Sequence, residues 1–561
     1  MVNNSVQNKL SAFATFLPVT VSLFLTTGVN IDPVNLPKMF LLVSGSGYLF
    51  GLMLSLKFKP VTANKVVSFS ILVLILGITS STLASKSPFT QLWFGSYGRN
   101  TGVLTYLGLI ILFISIFSIN NFLYLEKLIL GLFFVGIFNA LYGFFQINNL
   151  DPIDWNNNFN AIIGTFGNPN FASAFISISL ITYPYLFSKY KTLFARLILA
   201  IFISASIFAV IKTKSQQGYF LPIFGLGMVL LVFVFKKNRK SLGITGFILF
   251  ISGIFISLMG LLQKGPLANL LYQPSISLRG FYWNAGLGMF RESPFFGNGL
   301  DSYGDLYLRN RSASSILPPG GQNVFSNAAH NVFIDMAASG GLLLIIPYLM
   351  IIVYALFLAI KAINNNSFNL LYTTIVASWI GFLLQSMISI NQIGLAVWVW
   401  GLTGAVISGA QMLLSKRNQE VSVGVPKKKT VKQETTASAF LLGFVSAAIF
   451  FTLVVPELIA DMNFKSAMAN KDVKKIQKVI KSYPMSSERL SRTSQIFLRN
   501  TLNTEALDIS LIAVKFNPNH SNSWITLVYN PTASREQRLL AKENLMRLDP
   551  RSTEWKKIVV K

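Results

Sequence analysis

The chain contains no cysteine and only two histidines, His330 and His520. Disulfides, thiolate nucleophiles, cysteine-ligated metals and a histidine-rich metal cluster are therefore excluded. Charge is scarce as well. Only 12% of the 561 residues are Asp, Glu, Lys or Arg, about half the share of an ordinary soluble domain, so a simple soluble enzyme is excluded too. What fills the chain instead is apolar: 52% hydrophobic residues, 13% aromatic with 48 phenylalanines, and a mean hydropathy of +0.55. Phenylalanine at that frequency is tolerated where the solvent is lipid, and the chain reads as a polytopic membrane protein whose first partner is the lipid bilayer. A net charge of +27 would suggest nucleic acid in a soluble protein. Here the charges sort by membrane side, and no nucleic-acid partner is expected.

Apolar runs of roughly 20 residues, the length that crosses a bilayer, begin near residues 10, 36, 65, 102, 126, 171, 193, 217, 243, 332, 370, 394 and 438. The expected fold class is all-α: about thirteen transmembrane helices, twelve in a membrane domain of residues 1–413 and the last at 438–456. No small-residue cleavage site follows the first run, which reads as a retained helix. Cations gather in alternate connections: Lys57, Lys59 and Lys65; Lys189, Lys191 and Arg196; the run at 236–240; and Lys416, Arg417 and the KKK at 427–429 within a basic linker, 414–437. The positive-inside rule makes these cytoplasmic. The other connections are poor in cations, apart from Lys212 and Lys214, and the one at 148–170 has Asp151, Asp154 and the stretches NNN and NPN without any Lys or Arg. With a cytoplasmic N-terminus, an odd number of spans places residues 457–561 on the extracytoplasmic side.

One outer connection, from about 263 to 330, is far longer than the rest, and long connections in compact proteins are usually functional. Its first half repeats apolar residues at helical spacing (Leu278, Tyr282, Met289) and stops at Pro294, which predicts a helix at the membrane interface. The following PFFGNGLDSYG reads as a turn, with Gly297, Gly299 and Gly304 at positions needing positive φ. The tail, 457–561, holds 18 basic and 10 acidic residues and no spanning run. Pro484, Pro518 and Pro550 recur in it at spacings of 34 and 32, each closing a stretch with apolar teeth: Ile476, Val479 and Ile480; Ile509, Ile512 and Phe516; Leu540, Leu545 and Leu548. A helix pair of about 34 residues ending in Pro is the tetratricopeptide period, so a soluble helical-repeat domain able to take protein partners is expected, with an irregular helical tail as the alternative.

His330 stands where the long connection enters the tenth span, and Asn331 can cap that helix, whose positive dipole end faces an anion. A lone histidine at a helix start is often only a solvated polar residue, but this one lies beside arginines. Arg279 suits a diphosphate, since a guanidinium grips phosphate oxygens bidentately. Arg291, Arg309 and Arg311 read as headgroup contacts or solubilising charge. The outer connections hold no DxD pair.

The segment SLRGFYWNAGLGMFRESPFFGNGLDSYG, followed by AAHNVFIDMAASGGLLLIIPYLM, resembles the signature loop of the O-antigen ligase/polymerase (Wzy-like) superfamily. FGSYGRNTGVLTYL at 94–107, GTFGNPNFASAF at 164–175 and SMISINQIGLAVWVWGLTG at 386–404 are similar to further segments of the same family, so the resemblance covers most of residues 90–410. It implies a metal-independent glycosyltransferase without cofactor, acting in cell-envelope polysaccharide biosynthesis at the bacterial cytoplasmic (inner) membrane. The donor would be a glycan on undecaprenyl diphosphate and the acceptor a lipid, glycan or protein hydroxyl. The resemblance makes His330 the general base and Arg279 the diphosphate ligand. Members carry Ser-Arg-Gly at the start of the eighth span, whereas this chain has Ser215-Gln216-Gln217-Gly218. Gln217, Lys214 or Lys212, and Arg99, are the candidates to fill that gap, and Asp335 the group to orient the site. A membrane transporter of a small anion such as bicarbonate is the alternative, since many spans with few charges also suit a carrier, though a carrier places its site near the midplane.

Overall fold

The computed structural model describes residues 4–153, 155, 161–272, 274–421 and 436–560. Among them it is helical throughout, with no strand. Asp154, the NNN at 156–158 and most of the basic linker, including its KKK and the side chains of Lys416 and Arg417, lie outside the described residues. Every one of the apolar runs is a helix. Among the described residues ten helices are long and apolar enough to cross a membrane, while Val103–Phe117 and Leu370–Ser386 are apolar but shorter. Asn4–Leu23 opens on polar residues, Gln7 and Lys9 among them.

The helices divide by what they face. All of the spanning window of Ile393–Ser415 is buried, against 6% of that in Lys240–Ser257. The first is the hub, packed on Val103–Phe117, Val332–Asn365 and Leu370–Ser386. Its Trp398 donates its indole N–H to Ser22 Oγ at 2.8 Å, and Trp379 of a neighbouring helix donates to Thr403 Oγ1 at 2.9 Å, so these large buried rings leave no polar atom stranded. The second exposes Phe247, Leu249 and Phe255, a surface that suits lipid tails and not water.

At one end of the bundle the 263–330 connection folds back on the spans. Its expected helix is present as Pro274–Glu292, which stops before Pro294 and packs on Val332–Asn365. That partner helix is broken at Gly341, whose φ of 60° and ψ of −158° are not helical. A break of this kind leaves carbonyls and N–H groups open, and apolar surroundings make them costly to leave unpaired. The turn after Pro294 takes them up. Leu342 N donates to Pro294 O at 2.7 Å, Asn298 N to Ala338 O at 3.1 Å and Gly299 N to Ser339 O at 2.9 Å, while Asn298 Nδ2 bridges Met289 O and Ala338 O. A Cβ on Gly297 would meet Ser339 O at 2.1 Å, and one on Gly341 would meet Phe295 at 2.5 Å. Gly297 and Gly299 do have positive φ; Gly304 does not, because it lies within the helix Tyr303–Asn310, and Asp301 takes the left-handed position instead.

The last spanning helix does not end at 456. Thr436–Ala469 continues through Pro456 for 34 residues, because Phe464 and Ala467 carry its apolar face on into the tail core. The boundary expected at 457 therefore falls inside a helix. Beyond it come Val473–Ile480, Ser487–Arg499, Asn503–Phe516, Ser521–Tyr529 and Arg535–Leu548, with Pro484, Pro518 and Pro550 after the first, third and fifth. Ile476, Ile480, Ile509, Leu545 and Leu548 are buried as expected, whereas Leu540 is exposed. The tail core also takes in Ile31 from the connection after the first helix, and the Asp461 carboxylate accepts from Ile31 N at 2.8 Å and from Tyr97 Oη at 2.7 Å. The tail thus sits on the same end of the bundle as the long connection.

Candidate active site

The site is built on a carboxylate that the sequence does not single out. Asp301 Oδ2 accepts from Ser96 N at 2.8 Å and Thr101 N at 3.1 Å, closing the SYGRNT turn, and Oδ1 lies 2.9 Å from Arg99 Nε. Arg99 Nη1 donates to Asn327 O at 2.8 Å, and Nη2 is 3.9 Å from Asp335 Oδ2. Asp335 Oδ1 in turn accepts from Ala329 N at 2.7 Å. Burial opposes the Arg99 charge, but Asp301 and then Asp335 outweigh it and hold the guanidinium charged. One buried arginine thus ties the 96–101 turn, the 327–329 segment and the first turn of the Val332–Asn365 helix together. Its charge is taken up in doing so.

His330 is held between these fixed points. Ala329 is pinned by Asp335, and Asn331 caps the helix, its Oδ1 accepting from Phe333 N at 3.0 Å and Ile334 N at 3.2 Å. Between them His330 takes a φ of 52°, a left-handed position uncommon for a residue with a Cβ. The imidazole lies against Tyr282, with ring centroids 5.3 Å apart. Among the described residues, neither ring nitrogen has a hydrogen-bond partner. Burial, then Arg279, then Arg99 push its pKa down to about 4, so the ring is neutral across the physiological range.

Arg279 sits on the Pro274–Glu292 helix, one turn before Tyr282, close enough to His330 to repel its proton. Among the described residues no carboxylate pairs with it. Burial lowers its pKa, with Tyr282 acting the other way. The other arginines of the connection differ. Arg311, expected as a headgroup contact, is fully buried: Nε and Nη2 grip Asp549 of the tail at 3.1 and 2.8 Å, and Nη1 donates to Gln322 O at 2.9 Å. The correction has a simple cause, since its partner lies 238 positions further along the chain. Arg309 pairs with Glu292 at the surface, and Arg291 is exposed.

The remaining candidates lie elsewhere. Lys214 is exposed in the turn between Leu193–Lys212 and Gln217–Lys236. Gln217 is buried and donates to Asn170 O, beside Ser215 Oγ, which bonds Asn170 Oδ1 at 2.8 Å. The 215–218 and 164–175 segments are thereby joined to each other. Among the described residues no hydrogen bond, ion pair or ring contact joins either to His330 or Arg279. No group of three His, Asp or Glu is placed to hold a metal among them.

Sequence reasoning missed Asp301, Asn298 and Asp549. Asp301 and Asn298 lie within the GNGLDSYG turn, and an acidic residue following two glycines was the available signal; Asp549 gave none beyond its place before Pro550. No curated protein matches the chain. Residues 199–349, which contain Arg279, Asp301, His330 and Asp335, match the family model described as O-Antigen ligase.

Proposed function

We propose that the protein transfers a glycan from a polyprenyl-diphosphate carrier, undecaprenyl diphosphate in the family it resembles, to an acceptor hydroxyl at a membrane surface. The observation that carries this is the nearness of two groups that no described residue pairs: a neutral imidazole whose nitrogens have no hydrogen-bond partner among the described residues, and a guanidinium with no carboxylate partner among them. The acceptor oxygen attacks the sugar C1 and its proton passes to His330. The bond from C1 to the diphosphate oxygen breaks, and the electron pair leaves on the diphosphate, which Arg279 grips. Arg99 acts as a positioning residue, because its own charge is spent on Asp301 and Asp335. Asp335 likewise orients the His330 backbone. The arginine of the Ser-Arg-Gly seen in the family it resembles has no counterpart within 215–218, so the donor relies on Arg279 and on backbone dipoles, with Lys214 as a distant exposed charge.

Arg99, Arg279, Asp301, His330 and Asp335 gather at one end of the bundle, which speaks for surface transfer over a carrier mechanism. By the distribution of cations that end is extracytoplasmic in the inner membrane, and the tail beside it is a tetratricopeptide-like domain. The test is transfer from a purified lipid-linked donor by the full chain in detergent, with chelator present throughout. His330→Ala and Arg279→Ala should both retain the fold and lose turnover; wild-type rates in both would remove the assignment.

A further inference from the structure

A cleft of about 300 Å³ opens between the membrane domain and the tail. Its walls come from residues 90–97, residues 301–327 of the long connection, Glu457 of the last spanning helix, and residues 485–488 and 520–522 of the tail. That volume is at the lower end of the range for small-ligand sites. The lining contains Asp301, Asp305, Glu457 and Glu488 but no lysine or arginine. Each carboxylate has a partner already: Arg99 for Asp301, Gln91 Nε2 and Asn517 Nδ2 for Asp305 at 2.9 and 3.0 Å, Arg489 for Glu457, and His520 for Glu488. An anion would meet four carboxylates there and no lysine or arginine in the lining to grip it. The diphosphate donor is therefore not the occupant.

What the cleft offers freely is of another kind. The Phe325 ring is 51% exposed, and among the described residues the side chains of Ser96, Asn327 and Asn522 have no hydrogen-bond partner. An apolar ring face beside unengaged hydroxyl and amide groups matches the two faces of a sugar, one of C–H bonds and one of hydroxyls. The Phe325 wall of the cleft is also joined to the histidine through packed rings. Phe325 packs on Tyr307 with centroids 6.1 Å apart, Tyr307 on Tyr282 at 5.7 Å, and Tyr282 on His330 at 5.3 Å. Asn327 in its lining accepts from Arg99 through its carbonyl, and His330 follows three positions later.

We infer that this cleft binds the acceptor, as an uncharged, hydroxyl-rich glycan chain laid between the tail and the long connection, on the 325–327 segment that runs on to His330. The tail is then part of the substrate site. This rests on the transferase reading for the acceptor role but not for glycan binding itself, which can be measured without turnover.

The test uses the full chain in detergent, labelled and applied to an array of purified bacterial surface-polysaccharide fragments. The wild type should bind at least one uncharged fragment, and so should His330→Ala. Phe325→Ala, which removes the ring face, and Asn522→Trp, which fills the cleft from the tail side, should each bind it about tenfold more weakly, the scale of one lost contact. Binding of undecaprenyl diphosphate should be the same in all four proteins. Absence of any glycan binding by the wild type overturns the inference, as does undiminished binding by both cleft variants. Where transfer is measurable, the cleft variants should raise KM for acceptor and leave KM for donor alone. Loss of transfer in His330→Ala with glycan binding retained keeps the two readings apart.

Discussion

Around His330 the charges are fixed by carboxylates and backbone, whereas around residues 212–217 the polar work falls to amides and hydroxyls. In the first region Arg99 is gripped by Asp301 and Arg311 by Asp549, and no described carboxylate pairs with Arg279. In the second, Gln217 and Ser215 bond Asn170, and Lys214 is exposed with no ion-pair partner among the described residues. The contrast teaches that arginine count does not measure anion capacity. A guanidinium already paired to a buried carboxylate holds the structure, and one without such a partner is available for a ligand.

The largest effect expected from breaking this arrangement is at His330. General-base assistance contributes about 10²–10⁴-fold, so His330→Ala should lower turnover by that order, and His330→Gln, which cannot take up a proton, should rescue little. The pH profile sharpens the point. Burial, Arg279 and Arg99 depress the histidine to about 4 in the free protein, so activity governed by kcat/KM should persist until the pH falls to that region. A bound diphosphate offsets the Arg279 charge and raises the histidine towards its ordinary value. The acid limb of kcat should therefore lie at higher pH than that of kcat/KM. Coincident limbs would show that no anion sits beside Arg279 during turnover.

Asp549 comes next. Asp549→Ala strands the buried Arg311 guanidinium, and removing one partner of a buried pair costs about 3–5 kcal/mol. The tail should loosen from the long connection, seen as a lower thermal transition and faster protease cleavage near 311–322. Joint replacement, Arg311→Met with Asp549→Leu, should recover most of the loss, because it removes both charges. If the single variant melts like the wild type, the pair does not hold the tail in place.

Arg279 should matter less than either. Hydrogen bonds to charged groups carry about 1.5–3 kcal/mol, so Arg279→Ala should lower kcat/KM for the donor roughly 10- to 100-fold, and Arg279→Lys less, since the charge survives and the fork does not. The same change removes a repulsion from His330, so its acid limb in kcat/KM should move up in pH. A loss of activity without that movement would separate Arg279 from the histidine.

Much of this was legible in the chain, for physical reasons that differ from place to place. The apolar runs, the helix ending before Pro294 and the Asn331 cap follow from periodicity and local hydrogen bonding, which depend on near neighbours. His330 and Arg279 were legible because each carries unusual chemistry in a short motif. The role of the paired glycines was only half visible: Gly297 could be read as a turn residue, but that it closes on the helix break at Gly341 depends on a contact across the fold. The pairings of Arg99 and Arg311 were hidden for the same reason, since what decides a guanidinium's task is its carboxylate, and those carboxylates are 202 and 238 positions away. The continuation of the last span into the tail escaped notice because hydropathy falls at 456 while helical packing does not.

The smallest effect is expected at Lys214, and it tests the comparison most directly. Its ammonium is exposed and no described residue pairs with it. Exposed charges contribute about 1 kcal/mol at most, so Lys214→Ala should change KM for the donor by less than about fivefold, and raising the ionic strength should erase even that. Gln217→Ala removes the bond to the Asn170 carbonyl and should lower stability slightly without changing the acid limb set by His330. A larger loss of donor affinity in Lys214→Ala than in Arg279→Ala would reverse the order. It would mean that the two regions close on one diphosphate during turnover, with the connection carrying Arg279 moving towards the 212–217 turn.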